Sequence, residues 1–288
     1  MLSLSKILIL AVIQGAAELL PVSSSAHVIV AEKLMGLDPA KPEMTLLLVM
    51  LHTGTMLAVI VFFWNSWKTH FFTSQKVLGE TVKCLAAATI ATAVVGLLLK
   101  VLIEKILFKG VSHPEIESLF GNLPLIAAAL AAAGALILWA GYTEGRARAG
   151  KVSLDVKSSC WIGAVQGLCL PFRGFSRSGA TISTGLILGI EKKRLEEFSF
   201  ALAVILTPPG ILMEALRFLK AQHAAVHHSL GVMGIFIPSL VGMGLSFMAG
   251  LLALKWLSGW LEGGRWYLFG LYCLSASGII LFLHCQGL

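Results

Sequence analysis

The chain has 288 residues, of which 57% are hydrophobic and only 13% are charged, and its mean hydropathy is +0.86. Soluble domains carry about 25% charged residues, so this composition excludes an ordinary soluble protein and predicts a polytopic membrane protein. The formal net charge of +7 suits loops that lie beside anionic lipid. The basic residues are scattered over short loops without interleaved aromatic residues, so we expect no nucleic acid as a partner.

The N-terminal segment admits two interpretations. Lys6 is followed by an apolar stretch that resembles the hydrophobic core of a signal peptide. However, Glu18 and Pro21 fall where a cleavage site of small residues would be expected, and the hydrophobicity continues. We therefore expect this segment to belong to the mature protein.

Six apolar runs are each long enough to cross a hydrocarbon core, which needs roughly 20 residues. The fourth run contains the sequence T-P-P-G at Thr207–Gly210, where two prolines remove backbone donors. We expect a kink or a break in that helix. The predicted spans are about Thr45–Trp64, Val82–Ile103, Leu123–Ala140, Phe198–Leu219, Leu230–Trp256 and Trp266–His284.

Two further apolar regions are interrupted by polar residues before they reach the length of a span. Leu4–Leu20 is followed by P-V-S-S-S and a short run at Ala26–Met35, and Ser159–Leu170 is followed by P-F-R-G-F-S-R-S-G and Thr181–Ile190. Each pair predicts a re-entrant helix–loop–helix hairpin, because irregular backbone at membrane depth needs protein or a cavity around it.

The two hairpin regions also resemble each other. Q-G-A-A-E-L-L-P from Gln14 compares with Q-G-L-C-L-P from Gln166, and S-S-A-H from Ser24 compares with S-G-A-T from Ser178. Three predicted spans separate the hairpins, so the hairpins should enter from opposite faces and meet near the midplane. The predicted fold is therefore all-α, with six full transmembrane helices plus two re-entrant hairpins in an inverted repeat. It forms one integral membrane domain over residues 1–288, with repeats at about 1–141 and 152–288.

Lysine and arginine in the loops predict the orientation of the chain. One set of alternating loops holds more of these residues than the other, and the positive-inside rule places that set in the cytoplasm. Both termini and the entry of the first hairpin would then lie outside. The more basic loops lie near positions 65–83, 141–158, 191–194 and 255–265.

The first hairpin carries a carboxylate and an amide at helical spacing. Gln14 and Glu18 are four residues apart, so both side chains should face one side of the helix. Such oxygen ligands can hold a divalent cation such as Mg²⁺ or Ca²⁺ together with water and phosphate oxygens. The alternative is a glutamate that only forms hydrogen bonds within the hairpin, although an unpaired carboxylate is costly at this depth.

Three serines and a histidine follow. Ser23, Ser24 and Ser25 open the second half-helix, where free N–H groups and the helix dipole favour an anion. One serine suffices as an ordinary helix cap, so three in a row favour contact with phosphate. His27 can act as a general acid or base or as a nucleophile towards phosphorus, or it can be a hydrogen-bonded core residue.

The second hairpin supplies cations. Arg177 lies between two serines, and an arginine inside a membrane costs on the order of 2.5–3.5 kcal/mol even on the permissive insertion scale. Its planar guanidinium suits bidentate phosphate binding, and Arg173 offers a second charge. The predicted phosphate-binding residues are Ser23, Ser25, Arg173, Ser176, Ser178, Gly179 and Thr181, and the predicted catalytic residues are Glu18, Ser24, His27 and Arg177. Together they are the parts of a phosphoryl-transfer site acting on a lipid phosphate.

Other polar positions carry less specific signals. His52 and Thr53 lie in the middle of the first span, where they could line a cavity or pack against another helix. The run E-K-K-R-L-E-E from Glu191 predicts a solvated turn and helix start.

At these residues the sequence resembles the undecaprenyl pyrophosphate phosphatase family, also called bacitracin-resistance protein A. The family's first motif, (E/Q)-G-x-x-E followed by L-P-V-S-S-x-x-H, is matched from Gln14 to His27, and its second, P-G-x-S-R-S-G-A-T, is matched from Gly174 to Thr181. The similarity extends over the whole chain. Gln14 stands where many members have glutamate, and Arg173 replaces the proline before Gly174, so the second loop departs from the family pattern.

The resemblance implies hydrolysis of undecaprenyl diphosphate to undecaprenyl phosphate and inorganic phosphate at the bacterial cytoplasmic membrane. It also implies a divalent cation as cofactor, resistance to bacitracin, recycling of the lipid carrier for peptidoglycan synthesis, and an active site that opens to the outer face. Expected partners are a polyprenyl diphosphate and membrane lipid, and the oligomeric state, a homo-oligomer included, stays open. The main alternative is a lipid-carrier transporter or flippase, which the inverted repeat also suits. An acid-phosphatase-like enzyme and a non-catalytic membrane protein fit less well.

Overall fold

The computed structural model describes residues 3–38, 42–107, 121–144, 152–224 and 232–287. These ranges form ten α-helices and contain no β-strand, apart from one isolated bridge between Val152 and Ile190. The helices are α1 (Leu4–Leu19), α2 (Ser24–Leu34), α3 (Pro42–His70), α4 (Gln75–Leu107), α5 (Leu123–Glu144), α6 (Val156–Leu168), α7 (Arg177–Ile187), α8 (Lys192–Ala224), α9 (Val232–Glu262) and α10 (Trp266–Cys285). The all-α prediction is confirmed.

Six of these helices are long and apolar enough to cross a membrane, as the sequence predicts. They lie in α3, α4, α5, α8, α9 and α10, and their apolar stretches are Met44–His70, Gln75–Ile106, Leu123–Thr143, Lys192–Met213, Phe236–Glu262 and Trp266–Cys285. The first, second, fourth and fifth of these stretches each extend six or seven residues beyond one predicted end.

The fourth span, where we expect a kink or a break, is not broken. Helix α8 continues through Pro208 and Pro209. The hydroxyl of Thr207, the residue before the proline pair, donates to the carbonyl of Ala203 one turn earlier at 2.7 Å. Side chains of this kind let proline persist within membrane helices.

The other four helices are too short to span. Helices α1, α2, α6 and α7 have 16, 11, 13 and 11 residues. At 1.5 Å per residue each is at most about 24 Å long, which is less than the roughly 30 Å of a hydrocarbon core. They form two helix–turn–helix pairs, α1–α2 and α6–α7, which is consistent with the predicted hairpins. The inverted repeat stays a prediction.

Close helix contacts fix both pairs against the spans. A Cβ on Gly15 would lie only 2.6 Å from the Cβ of Ala249 and from the carbonyl oxygen of Ser246, so α1 touches the backbone of α9. In the second pair, the hydroxyl of Thr92 on α4 donates to the carbonyl of Gly163 at 2.9 Å. Small residues of this kind permit close backbone approach between membrane helices.

The two turns also meet each other. The hydroxyl of Ser178, in the first turn of α7, donates to the carbonyl of Leu20 in the α1–α2 turn at 3.2 Å. Gly174 has φ +107°, and any side chain there would collide with the carbonyl of Ile126 on α5. This packing brings the N-terminal ends of α2 and α7 to one place inside the bundle.

Candidate active site

The carboxylate of Glu18 is the centre of the polar cluster between the two turns. Its Oε1 lies 2.7 Å from a guanidinium nitrogen of Arg177, and its Oε2 accepts a hydrogen bond from Ser24 Oγ at 2.6 Å. The side-chain amide of Gln14 donates to Oε2 at 3.2 Å. His52 Nε2 lies 3.9 Å from the same oxygen. Residues from four helices, α1, α2, α3 and α7, and from both predicted motifs thus converge on one carboxylate.

The buried charge of Glu18 explains why polar partners gather around it. Its side chain is only 15% exposed, and a buried carboxylate is costly unless it is paired and hydrogen-bonded. Arg177, itself 24% exposed, pairs with Glu18, and this ion pair offsets the cost of removing both charges from water. A site held by this pair offers both a proton acceptor and a guanidinium.

The turn between α1 and α2 holds its serines in different roles. Ser23 adopts φ +66°, the left-handed region, and its hydroxyl caps α2 by accepting from the backbone N–H of Ala26 at 3.4 Å. Ser25 Oγ lies 3.2 Å from Ser23 Oγ. Ser24 instead turns its hydroxyl towards Glu18. Strained backbone at a polar turn of this kind is common at functional sites, and here it aims Ser24 into the cluster.

His27 has partners at both ring nitrogens. Nδ1 donates to the carbonyl of Ser23 at 2.8 Å, and the hydroxyl of Tyr272 lies 2.7 Å from Nε2. The two rings are also stacked, with centroids 5.6 Å apart. A neutral imidazole that donates from Nδ1 accepts the Tyr272 hydroxyl at Nε2. The ring is thus part of the same region, but neither nitrogen faces Glu18.

The second motif lies where the sequence predicts, but its hydroxyls are engaged in the fold. Ser176 caps α7 by accepting from the backbone N–H of Gly179 at 3.2 Å, and Ser178 is bonded to the first turn. Thr181 Oγ1 donates to the carbonyl of Arg177 at 2.9 Å and lies 2.6 Å from Ser199 Oγ. Ser176, Ser178 and Thr181 are buried. Their contact with phosphate stays a prediction, which the backbone N–H groups of this helix end could meet.

Arg173 lies at the edge of the cluster. It is partly buried, and its charge acts favourably on the carboxylate of Glu32, which is 2% exposed. The predicted second cation is therefore present near the two turns, and its charge also acts on an acid outside the two motifs. The sequence did not single out Glu32, because it lies in the short helix after the motif.

Three residues of the site come from elements that the two motifs do not include. His52 belongs to α3, Tyr272 to α10 and Ser199 to α8. The sequence left His52 undecided between cavity and packing, and it gave no signal for Tyr272 or Ser199. Only the packing of distant helices brings them to the turns.

The residues fit a resident divalent cation poorly. Among the described residues no group of three or more His, Cys, Asp or Glu side chains is placed to hold a metal ion. Both oxygens of Glu18 already accept hydrogen bonds, and Gln14 turns its amide nitrogen, rather than its oxygen, towards them. The adjacent Arg177 would also repel a cation. We therefore derive no catalytic step through a metal held by this cluster.

A second polar cluster lies at the C-terminal end of α3, away from His52. The Glu197 carboxylate accepts from Ser66 Oγ and lies 2.8 Å from His70 Nδ1, and Glu197 is 1% exposed. Glu196 is likewise buried and bonded to Ser258. The prediction that the run from Glu191 is solvated is wrong for these two residues, because they occupy the face of α8 that packs against its neighbours.

Fold and site together define an integral membrane protein whose bundle encloses a carboxylate, a hydroxyl and an arginine between two helix N-termini. These are the groups that an intramembrane enzyme needs in order to bind a phosphate group and act on it. The chain belongs to the family of bacitracin resistance protein BacA, whose model matches residues 7–279. The family predicted from the two motifs is thereby confirmed.

Curated relatives cover nearly the whole chain. Undecaprenyl-diphosphatase 2 of Acinetobacter baylyi is 60% identical over 285 residues, which make up 98% of each chain. Undecaprenyl-diphosphatase 1 of Burkholderia pseudomallei is 35% identical over 99% of this chain and 97% of its own. Undecaprenyl-diphosphatase of Desulfosudis oleivorans is 32% identical over 96% of both.

Proposed function

We propose that the protein is an undecaprenyl-diphosphatase, which hydrolyses undecaprenyl diphosphate to undecaprenyl phosphate and inorganic phosphate. The observation that carries this proposal is the contact of one carboxylate, Glu18, with both Ser24 and Arg177. The names of the relatives supply the substrate. The activity needs a phosphate-binding cation and an activated nucleophile in an apolar setting, and the cluster offers both.

In the proposed reaction the diphosphate binds to the guanidinium of Arg177 in place of the Glu18 carboxylate. Arginine binds phosphate oxygens through two parallel N–H bonds, and the N-terminal ends of α2 and α7 add backbone donors. The phosphate thereby replaces Glu18 as the main partner of Arg177. Glu18 is left with Ser24, whose hydroxyl is already bonded to Oε2 at 2.6 Å.

Ser24 is the nucleophile that this geometry favours. As Ser24 Oγ bonds to the terminal phosphorus, its proton passes to Glu18 Oε2, and the bond from phosphorus to the bridging oxygen breaks. Undecaprenyl phosphate leaves with the electron pair of that bond. Water then bonds to the phosphorus of the phosphoserine and the bond from phosphorus to Ser24 Oγ breaks, while Glu18 returns its proton to Ser24 Oγ and takes one proton from the water. Phosphate leaves, and Glu18 loses the second proton to solvent, which restores the carboxylate. His27 is less suited, because both of its nitrogens have partners within the fold.

A divalent cation belongs to the proposal as a counter-ion that arrives on the diphosphate. Phosphate oxygens and water can provide most of the ligands that Mg²⁺ prefers. The single carboxylate of the cluster, paired with Arg177, offers little reason for a resident ion. The cation would then lower the charge of the substrate without a fixed protein site.

The location and biological role follow from the same proposal. The enzyme would lie in the bacterial cytoplasmic membrane with its termini and active site towards the outer face, as the basic loops predict. The prenyl chain would lie against the apolar spans. Release of undecaprenyl phosphate would recycle the carrier for cell-wall synthesis, and removal of the diphosphate lipid suits the family's description as a bacitracin resistance protein.

The test is phosphate release from undecaprenyl diphosphate by the purified protein in detergent and in liposomes. Wild-type protein should release one phosphate per lipid, and Glu18→Ala and Arg177→Ala should abolish this release while keeping the elution volume of the folded protein. Full activity in both variants would refute the site. Movement of labelled lipid across liposomes without phosphate release would instead favour the flippase alternative.

A further inference from the structure

We infer that His52 is a further substrate-binding residue, which contacts the diphosphate from a third side of the site. The two sequence motifs do not include it. The inference rests on the proposed function for the identity of its ligand. It assigns to α3, a full span, a direct part in holding the substrate beside the two short helix pairs.

The position of the ring supports this assignment. His52 Nε2 lies 3.9 Å from Glu18 Oε2, the same oxygen that accepts from Ser24. Its side chain is 39% exposed, so the ring is not packed into a core. Nδ1 is fixed by the carbonyl of Leu48 at 2.8 Å, one turn earlier in α3. This bond directs Nε2 towards the cluster, where a phosphate oxygen could replace the Glu18 carboxylate.

The hydrogen-bonding of the two imidazoles differs in a way that favours His52 as an anion contact. Both nitrogens of His52 face oxygen acceptors, namely a backbone carbonyl and a carboxylate. His27, by contrast, has the Tyr272 hydroxyl as a donor at one nitrogen. Of the two rings, His52 is therefore the one placed to donate towards an anion.

The charges of the cluster give a second and independent reason. Arg177 and Glu18 cancel each other, and the charge of Arg173 acts on Glu32. A terminal phosphate group alone carries about −1.5 to −2 charges at neutral pH, so one guanidinium that already pairs with Glu18 does not balance the diphosphate. A hydrogen bond from His52 Nε2 would help to stabilise this negative charge beside Glu18 and Ser24.

The experiment measures binding separately from turnover. The probe is farnesyl methylenediphosphonate, whose P–C–P bridge resists hydrolysis, titrated into the purified full-length protein in detergent by calorimetry. Loss of a hydrogen bond to a charged group is expected to weaken binding by ~10- to 100-fold in His52→Ala, and less in His52→Gln, which keeps one N–H donor. Thr53→Val is the matched control, because Thr53 is adjacent and its hydroxyl is bonded to the carbonyl of Val49 in its own helix.

A rescue distinguishes contact from a structural role. Added imidazole should restore part of the affinity of His52→Ala, since it can fill the space of the lost ring, and it should leave wild-type and Thr53→Val binding unchanged. Affinity within twofold of wild type in folded His52→Ala and His52→Gln would overturn the inference. Wild-type protein that binds the probe but releases no phosphate from the lipid would refute the proposed function alone. Unaltered hydrolysis together with unaltered binding in both variants would refute the His52 assignment alone.

Discussion

Glu18 and Arg177 lie 159 positions apart in the chain and form an ion pair of 2.7 Å between the turns of two short helix pairs. Each residue alone would be an uncompensated charge in an apolar bundle. The pair therefore joins the two halves of the site, and the substrate must compete with Glu18 for the guanidinium. This competition makes the shape of the guanidinium, and not only its charge, important.

Arg177→Lys should lower kcat/KM for undecaprenyl diphosphate by about 10²-fold or more. Lysine keeps the charge but loses the planar fork, and loss of one donor to a developing charge costs roughly 3 kcal/mol. Phosphate release under steady-state conditions measures the change. Arg194→Lys is the control, because Arg194 contacts the carbonyl of His70 in the separate polar cluster. Near-wild-type activity in Arg177→Lys would contradict bidentate binding.

Ser24→Ala should reduce kcat by ~10³-fold or more, since it removes the hydroxyl that is bonded to Glu18 and leaves the helix cap, Ser23, intact. Wild-type protein denatured in SDS at neutral pH during turnover should yield a phosphorylated peptide containing Ser24 by mass spectrometry. Ser5→Ala, an exposed serine at the start of α1, serves as control. Phosphate on His27, or full activity of Ser24→Ala, would contradict Ser24 as nucleophile.

The sequence predicts the six spans and the meeting of the two hairpins that carry Glu18 and Arg177 for a physical reason. Apolar length determines which segments can cross a bilayer, and a charge inside it demands a partner or a function. The short helices also fall close to their predicted positions, because proline and serine interrupt the apolar stretches before a full span is reached. In these cases a local pattern carries the information.

The remaining parts of the site depend on contacts between distant helices. His52, Tyr272 and Ser199 reach the turns only because α3, α10 and α8 pack around them. Glu197 follows a basic run that favours solvent, yet it is buried on the inner face of α8. The direction of a side chain around a helix within a membrane bundle cannot be read from an almost uniformly apolar sequence.

Gln14→Glu should make activity more dependent on divalent cations. In the wild type the Gln14 amide donates to Glu18, whereas two adjacent carboxylates repel each other unless a cation lies between them. We expect the variant to lose more activity in EDTA than the wild type and to reach half-maximal activity at a lower Mg²⁺ concentration. Glu191→Gln, which removes one negative charge at an exposed position, is the control for a change of net charge away from the site. Equal Mg²⁺ curves for wild type and Gln14→Glu would count against the role of the amide.

Glu197→Ala should destabilise the fold without changing the chemistry. The substitution leaves Ser66 and His70 without their buried partner, and breaking such an interaction typically costs about 3–5 kcal/mol. The apparent unfolding temperature in detergent should fall, while kcat per folded molecule stays within a few-fold of wild type. Glu191→Ala, at an exposed position, should change the unfolding free energy by no more than about 0.5 kcal/mol. An unchanged unfolding temperature in Glu197→Ala would show that the cluster does not hold α3 against α8.

Gly15→Ala should impair activity because of its effect on the position of α1. The added methyl group would meet Ala249 Cβ and Ser246 O at 2.6 Å, so α1 must move away from α9 and carry Glu18 with it. A displacement near 1 Å at a catalytic group can cost about 10²-fold in rate. Gly244→Ala is the matched control on α9, because an added Cβ there meets no atom within 4 Å. Phosphate release and unfolding temperature should both fall in Gly15→Ala and stay near wild type in Gly244→Ala, and equal activity in the two variants would show that the α1–α9 contact does not position Glu18.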